Sequence, residues 1–172
     1  FRSPLPARQI EEVPIVMVAV PHEDASDATL YSLRQAVARS LGIRPGARLA
    51  CVTVLSPLAS SSSDGARSET SLHRQHIARL KQWAAPLDLQ GHSVSFHVLE
   101  ASDVAQALVR YAAGNHVSLM ILGAATHGLQ LQRFIATVPM RVARDAPCTL
   151  ILVKQTLPFE ALARTEAADG GA

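Results

Sequence analysis

The sequence predicts an α/β domain: a single five-stranded parallel sheet with helices packed on both faces. Two observations lead there. Short runs of aliphatic residues, such as Ile15-Val16-Met17-Val18-Ala19-Val20 and Leu119–Leu122, recur along the chain, and unbroken apolar runs of strand length belong to strands covered on both sides. Between them lie stretches whose apolar residues return every three or four positions, the period of a half-buried helix. Strands alternating with helices form βαβ units, whose crossovers are right-handed and whose sheets are parallel.

Taken in order, Phe1–Glu12 holds Pro4 and Pro6 without an apolar period and reads as a lead-in. Residues 13–154 are the domain and 155–172 a flexible tail. The first strand, Ile15–Val20, runs into a polar turn, Pro21-His22-Glu23-Asp24. Ser26 or Asp24 can cap the helix in which Leu30, Leu33, Val37 and Leu41 share one face, and Gly42 suits the C′ position that ends it. Arg44-Pro45-Gly46 turns into a second strand, Leu49–Leu55. After the low-complexity loop Ser60–Gly65, a second helical stripe comprises Ile77, Leu80, Ala84 and Leu87, with Trp83 at its margin. Val94, Phe96 and Val98 alternate with Ser93, Ser95 and His97, the pattern of a half-exposed edge strand. Ser102 then caps a helix ending at Gly114, and Val117–Leu122 and Leu150–Val153 are strands four and five.

A first strand in the middle, with the chain winding both ways from it, gives the order 3-2-1-4-5. The ligand crevice of such a sheet opens at the carboxyl ends of strands one and four. Strand five, apolar on both faces with no inward charge or proline, is then an edge that pairs or is covered.

Composition narrows the functions. With 48% apolar and 17% charged residues, the chain can bury a core without disulfides or metal. A net charge of +2, with the basic residues scattered along the helices, argues against a nucleic-acid or membrane partner. Four phenylalanines, two tyrosines and one tryptophan are too few for a base-stacking platform. The apolar runs are far shorter than a bilayer span, and no charged segment leads into an apolar one as in a secretory signal. Cys51 and Cys148 sit at or in apolar strand runs, which suits small core residues in a reducing, cytoplasmic compartment. Because the chain begins at Phe1 rather than methionine, a longer parent polypeptide is expected.

The crevice geometry directs attention to Leu122-Gly123-Ala124-Ala125-Thr126-His127-Gly128 after strand four. A glycine-bearing turn lets backbone N–H groups approach a phosphate, and a helix N-terminus beyond it adds its dipole. Thr137 caps that helix, Pro139 suits its first turn, and Asp145-Ala146-Pro147 ends it. Gly123 and Gly128 can equally do no more than turn the chain. His127 lies in the loop, and Arg133 and Arg141 flank it as candidate anion ligands, although arginines on exposed helix faces are ordinary. His73 and His76 are one helical turn apart, compatible with metal binding, but no third ligand accompanies them and they read as partly exposed helix residues. No G-x-S-x-G nucleophile motif and no G-K-[ST] phosphate loop occurs.

Ile121-Leu122-Gly123, Thr137-Val138 and the run Asp145-Ala146-Pro147-Cys148-Thr149-Leu150-Ile151-Leu152-Val153 together resemble the universal stress protein family over about residues 13–154. The resemblance implies a Rossmann-like fold and a dimerising regulatory domain in stress response. Pro45–Val52 and Val98–Ala101 are similar to members fused behind a bacterial serine/threonine kinase, which implies a tethered kinase domain. Nucleotide-binding members carry Gly-x-x-Gly and, further on, Gly-Ser or Gly-Thr. The matching residues here are Gly123, Thr126, Ala136 and Thr137, so only the first and last are kept. Those members also have an aspartate at the end of strand one, where this chain has Pro21. The implied site therefore comprises Pro21, Gly123, Thr126, His127, Gly128, Ala136, Thr137 and Val138, eroded so that ATP binds weakly or not at all and a phosphate or sulfate ion is the expected occupant. The resemblance also implies a homodimer through Leu150–Val153. The alternative is an ATP-binding or ATP-hydrolysing enzyme of the same α/β group.

Overall fold

The computed structural model describes residues 12–22, 25–57, 65–124 and 137–154. Its elements run β1 (Ile15–Ala19), α1 (Asp27–Gly42), β2 (Arg48–Leu55), α2 (Gly65–Ala84), β3 (Val94–Glu100), α3 (Val104–Gly114), β4 (Leu119–Ala124), α4 (Val138–Asp145) and β5 (Thr149–Lys154). The five strands form one sheet in the order β3-β2-β1-β4-β5, with every neighbouring pair parallel. The expected topology is present, and each strand lies within two residues of its expected bounds.

Alternation along β1 separates the two cores. Val16, Val18 and Val20 join Leu33, Val37 and Leu41 of α1 and Leu80, Trp83 and Ala84 of α2 on one face. Met17 and Ala19 join Ala105, Leu108 and Ala112 of α3 and Val142 of α4 on the other. Because side chains of a strand point alternately up and down, an all-apolar β1 demands cover on both sides. At the edges, β3 exposes Ser95 and Glu100 and leaves its other residues half-buried, while β5 leaves the apolar Leu152 38% exposed.

Local details correct several expectations. Ser26 is the N-cap of α1 and accepts from the Thr29 amide, so Asp24 is not needed. Gly42 is the last residue of that helix; the cap is Ile43, whose φ of −101° needs no glycine. Left-handed backbone is found instead at Gly46 and Gly91 and at the non-glycine His116. α3 is capped by Asp103, not Ser102, because the Asp103 carboxylate accepts from the Gln106 amide at 3.0 Å. Trp83 is not marginal. It is buried, and its indole N–H donates to the Leu30 carbonyl oxygen at 3.1 Å, tying α2 to α1. His76 is buried as well, whereas His73 is exposed. Cys51 is a core residue, but Cys148 is only half-buried. The tail beyond Lys154 lies outside the described residues.

Candidate functional site

The crevice forms where β1 and β4 end side by side. The Val20 amide donates to the Val52 carbonyl at 2.8 Å and so extends β1 by one rung beside β2. The Thr53 hydroxyl then donates to the Val20 carbonyl, also at 2.8 Å, inside the core. Pro21 follows and cannot extend the ladder, since it has no N–H. On the other side Gly123 opens the end of β4. A Cβ built on it would meet Thr29 Cγ2 at 3.8 Å, an ordinary contact.

Between these ends lies a cleft of about 500 Å³, within the range of small-ligand sites. Pro21, Gly123, Thr137 and Val138, four of the eight expected site residues, all line it, together with Leu108 of α3 and Thr29 of α1. Thr126, His127, Gly128 and Ala136, and with them Arg133, lie outside the described residues.

The N-terminus of α4 faces this cleft through Thr137, Val138 and Pro139. Thr137 is the N-cap residue, with extended backbone, but its side chain makes no capping hydrogen bond. The first intrahelical bond runs from the Arg141 amide to the Thr137 carbonyl. The amides of Val138 and Met140 precede that bond and have no acceptor within the helix, while Pro139 has no N–H at all. Two backbone donors and a helix dipole suit an oxyanion.

Charge is what the described lining of the cleft lacks. Among its described lining residues there is no carboxylate, lysine or arginine, and His22 is the one titratable side chain. Arg141 does not supply the missing cation, because its guanidinium pairs with the Asp103 carboxylate at 2.6 Å. That guanidinium and the Gln106 amide hold the Asp103 carboxyl below its ordinary range. The described lining residues thus fit an anion at α4 and include no carboxylate beside Pro21.

His73 and His76, expected as partly exposed helix residues, differ in their surroundings, with His73 exposed and His76 buried. The ring beside His76 is that of His22, edge-on at 5.6 Å between centroids. Two histidines this far apart in sequence leave no periodic signal; only their common place at the strand-one end of the sheet brings them together. Among the described residues no group of three His, Cys, Asp or Glu side chains could hold a metal.

A model of the universal stress protein family matches residues 14–154. No curated protein sequence matches the chain significantly. Solved structures similar to it include a universal stress protein in complex with cAMP, at 20% identity and TM-score 0.54, covering 84% of this chain and 98% of that one. A universal stress protein from Archaeoglobus fulgidus in complex with dAMP is 20% identical, with TM-score 0.51 and 83% and 98% covered. A protein of that family from Burkholderia pseudomallei is 22% identical, with TM-score 0.53 and 81% and 94% covered. At such identities the likeness shows a shared fold.

Proposed function

The chain belongs to the universal stress protein family, and on that premise we propose that it is a regulatory binding domain of the stress response whose nucleotide crevice has been reduced to a weak anion site. The observation behind this reading is the lining of the cleft. Its α4 end presents the first turn of a helix, with Thr137 and Val138 in the lining, while Pro21 matches the position at which the resemblance puts the aspartate of nucleotide-binding members. Loss of one charge-assisted hydrogen bond costs about 1.5–3 kcal/mol, roughly a ten- to hundredfold weaker complex. The solved relatives with cAMP and dAMP support an adenosine phosphate as the ligand class against which this erosion is measured. The expected occupant is a phosphate or sulfate ion near Thr137 and Val138, with full nucleotide bound weakly.

Restoring the carboxylate tests this directly. Pro21→Asp should raise affinity for adenosine phosphates about tenfold or more in titration calorimetry. No gain in that variant, with the fold intact, would contradict the assignment of Pro21 as the eroded position.

The same reading includes a homodimer through β5, supported by the exposed Leu152 within the apolar run Leu150–Val153 of that edge strand. It also includes a serine/threonine kinase on the same polypeptide, supported by the Pro45–Val52 and Val98–Ala101 stretches and tested by the mass of the parent polypeptide isolated from its source cells. Among the described residues no helix is long and apolar enough to cross a membrane, and the cytoplasmic placement rests on the cysteine usage.

A further inference from the structure

A second cavity, of about 390 Å³, opens on the other side of the Pro21-His22 wall, between α1 and α2. It belongs to the α1–α2 face of the sheet, whereas the crevice is bounded by α3 and α4. Its lining differs in kind from that of the crevice. Arg34 of α1 and Arg79 of α2 both contribute to it, with Asp27 as the carboxylate among the described lining residues. Counting the histidines as neutral, two guanidiniums against one carboxylate leave one formal positive charge.

The rest of the lining combines apolar side chains with His22, His76, Thr53 and Gln82. The Trp83 indole is fixed by its bond to the Leu30 carbonyl, and Leu80 lies beside it in the lining. His76 is only 8% exposed and meets the His22 ring edge-on, with an interplanar angle of 82°. Arg79 reaches across to the His22 carbonyl oxygen at 3.5 Å, a contact that uses one of its several N–H donors. Two guanidiniums in one lining with a fixed indole and the aliphatic Leu30 and Leu80 match a ligand with one anionic head and an apolar body.

We propose that this cavity is a second ligand site, built for a small monocarboxylate with an apolar body. Its carboxylate is held by Arg34 and Arg79 and its hydrocarbon part lies against Trp83 and Leu80. The inference does not depend on the crevice binding a nucleotide, because the two sites share only the wall formed by Val20, Pro21 and His22.

The chain supplies its own reporter, since Trp83 is the single tryptophan. Cyclohexanecarboxylate, which does not absorb in the tryptophan band, is titrated against the whole chain while indole fluorescence is followed. The expected result is a saturable change that weakens about tenfold in Arg34→Gln and in Arg79→Gln and persists in Arg144→Gln, whose guanidinium pairs with Asp145 on α4. Thermal melts establish that each variant is folded. The neutral cyclohexanecarboxamide and inorganic phosphate are expected to bind more weakly than the carboxylate. The proposal is overturned if the carboxylate produces no saturable change at millimolar concentration, if both arginine variants bind like the parent, or if the amide or inorganic phosphate binds as well as the carboxylate.

Discussion

Asp103 Oδ2 accepts a hydrogen bond from Arg141 Nη2 at 2.6 Å while its other carboxylate oxygen accepts from the Gln106 amide. One side chain therefore caps α3 and fastens α4, the helix whose N-terminus faces the crevice. Without that pairing, Arg141 would be the obvious anion ligand beside the loop. With it, the guanidinium is engaged at Asp103 and fastens the helix.

That double role predicts an acid sensitivity. The Asp103 carboxyl is held below its ordinary value of 3.8 first by the Arg141 hydrogen bond and then by the Gln106 amide. The stabilisation is thus complete above that ordinary value and is lost as pH falls through the depressed one. Asp103→Asn should flatten the part of the melting temperature against pH curve that lies below 3.8. Asp103→Ala, which removes cap and clamp together, should lower Tm more than Arg141→Ala, which removes the clamp alone. Equal effects of the two alanine variants would show that the cap contributes nothing.

Cys51 predicts the opposite limb. Burial pushes its thiol from 9.0 up to about 12. The stability this brings is fully present below pH 9.0 and declines as pH rises towards 12, because the unfolded thiol ionises first. Cys51 should therefore resist alkylation at pH 8 until the chain is denatured, and Cys148, half-buried, should react first. Prompt labelling of Cys51 in the native protein would refute its place in the core.

Trp83 predicts a stability cost of modest size. Trp83→Phe keeps most of the buried ring but removes the indole hydrogen bond to the Leu30 carbonyl, which costs about 1 kcal/mol. Trp83→Ala removes the packing as well and costs about 3–5 kcal/mol. Denaturant unfolding of the two variants separates the terms, and equal losses would show that the indole N–H bond carries all the energy.

The sheet was legible in the sequence because its signal is local. Ile15–Val20 and Leu119–Leu122 are apolar on both faces, so they had to be central, and the Ser/Val alternation around Val94–Val98 had to be an edge. The position of the crevice followed from that order alone. What escaped was set by contacts between residues distant in the chain. Trp83 lay at the margin of its own helical stripe, and its burial comes from the core it shares with α1 and β1 and from its bond to the Leu30 carbonyl. Ser102 and Asp103 are both good capping residues, and the Arg141 partner that favours Asp103 lies on another helix. The His22–His76 pair and the cavity it lines leave no spacing to read.

β5 predicts a dimer that one charge should dissociate. It is the last strand in the sheet order and carries Leu152, 38% exposed, and an edge strand of this kind pairs with another strand or is covered. Leu152→Lys should convert the dimer to a monomer in light scattering at micromolar concentration. A parent chain that is already monomeric there would refute the dimer.

Titration calorimetry with ATP and magnesium, on the parent chain and on Gly123→Val, measures the erosion of the crevice most directly. A Cβ on Gly123 meets only an ordinary contact with Thr29, so the variant is expected to fold and to report on the ligand. An eroded crevice gives little or no heat in the parent, with a dissociation constant weaker than about 100 μM, and little further change in the variant. A dissociation constant of about 1 μM in the parent, abolished by Gly123→Val, would contradict it and show an intact nucleotide site in spite of Pro21.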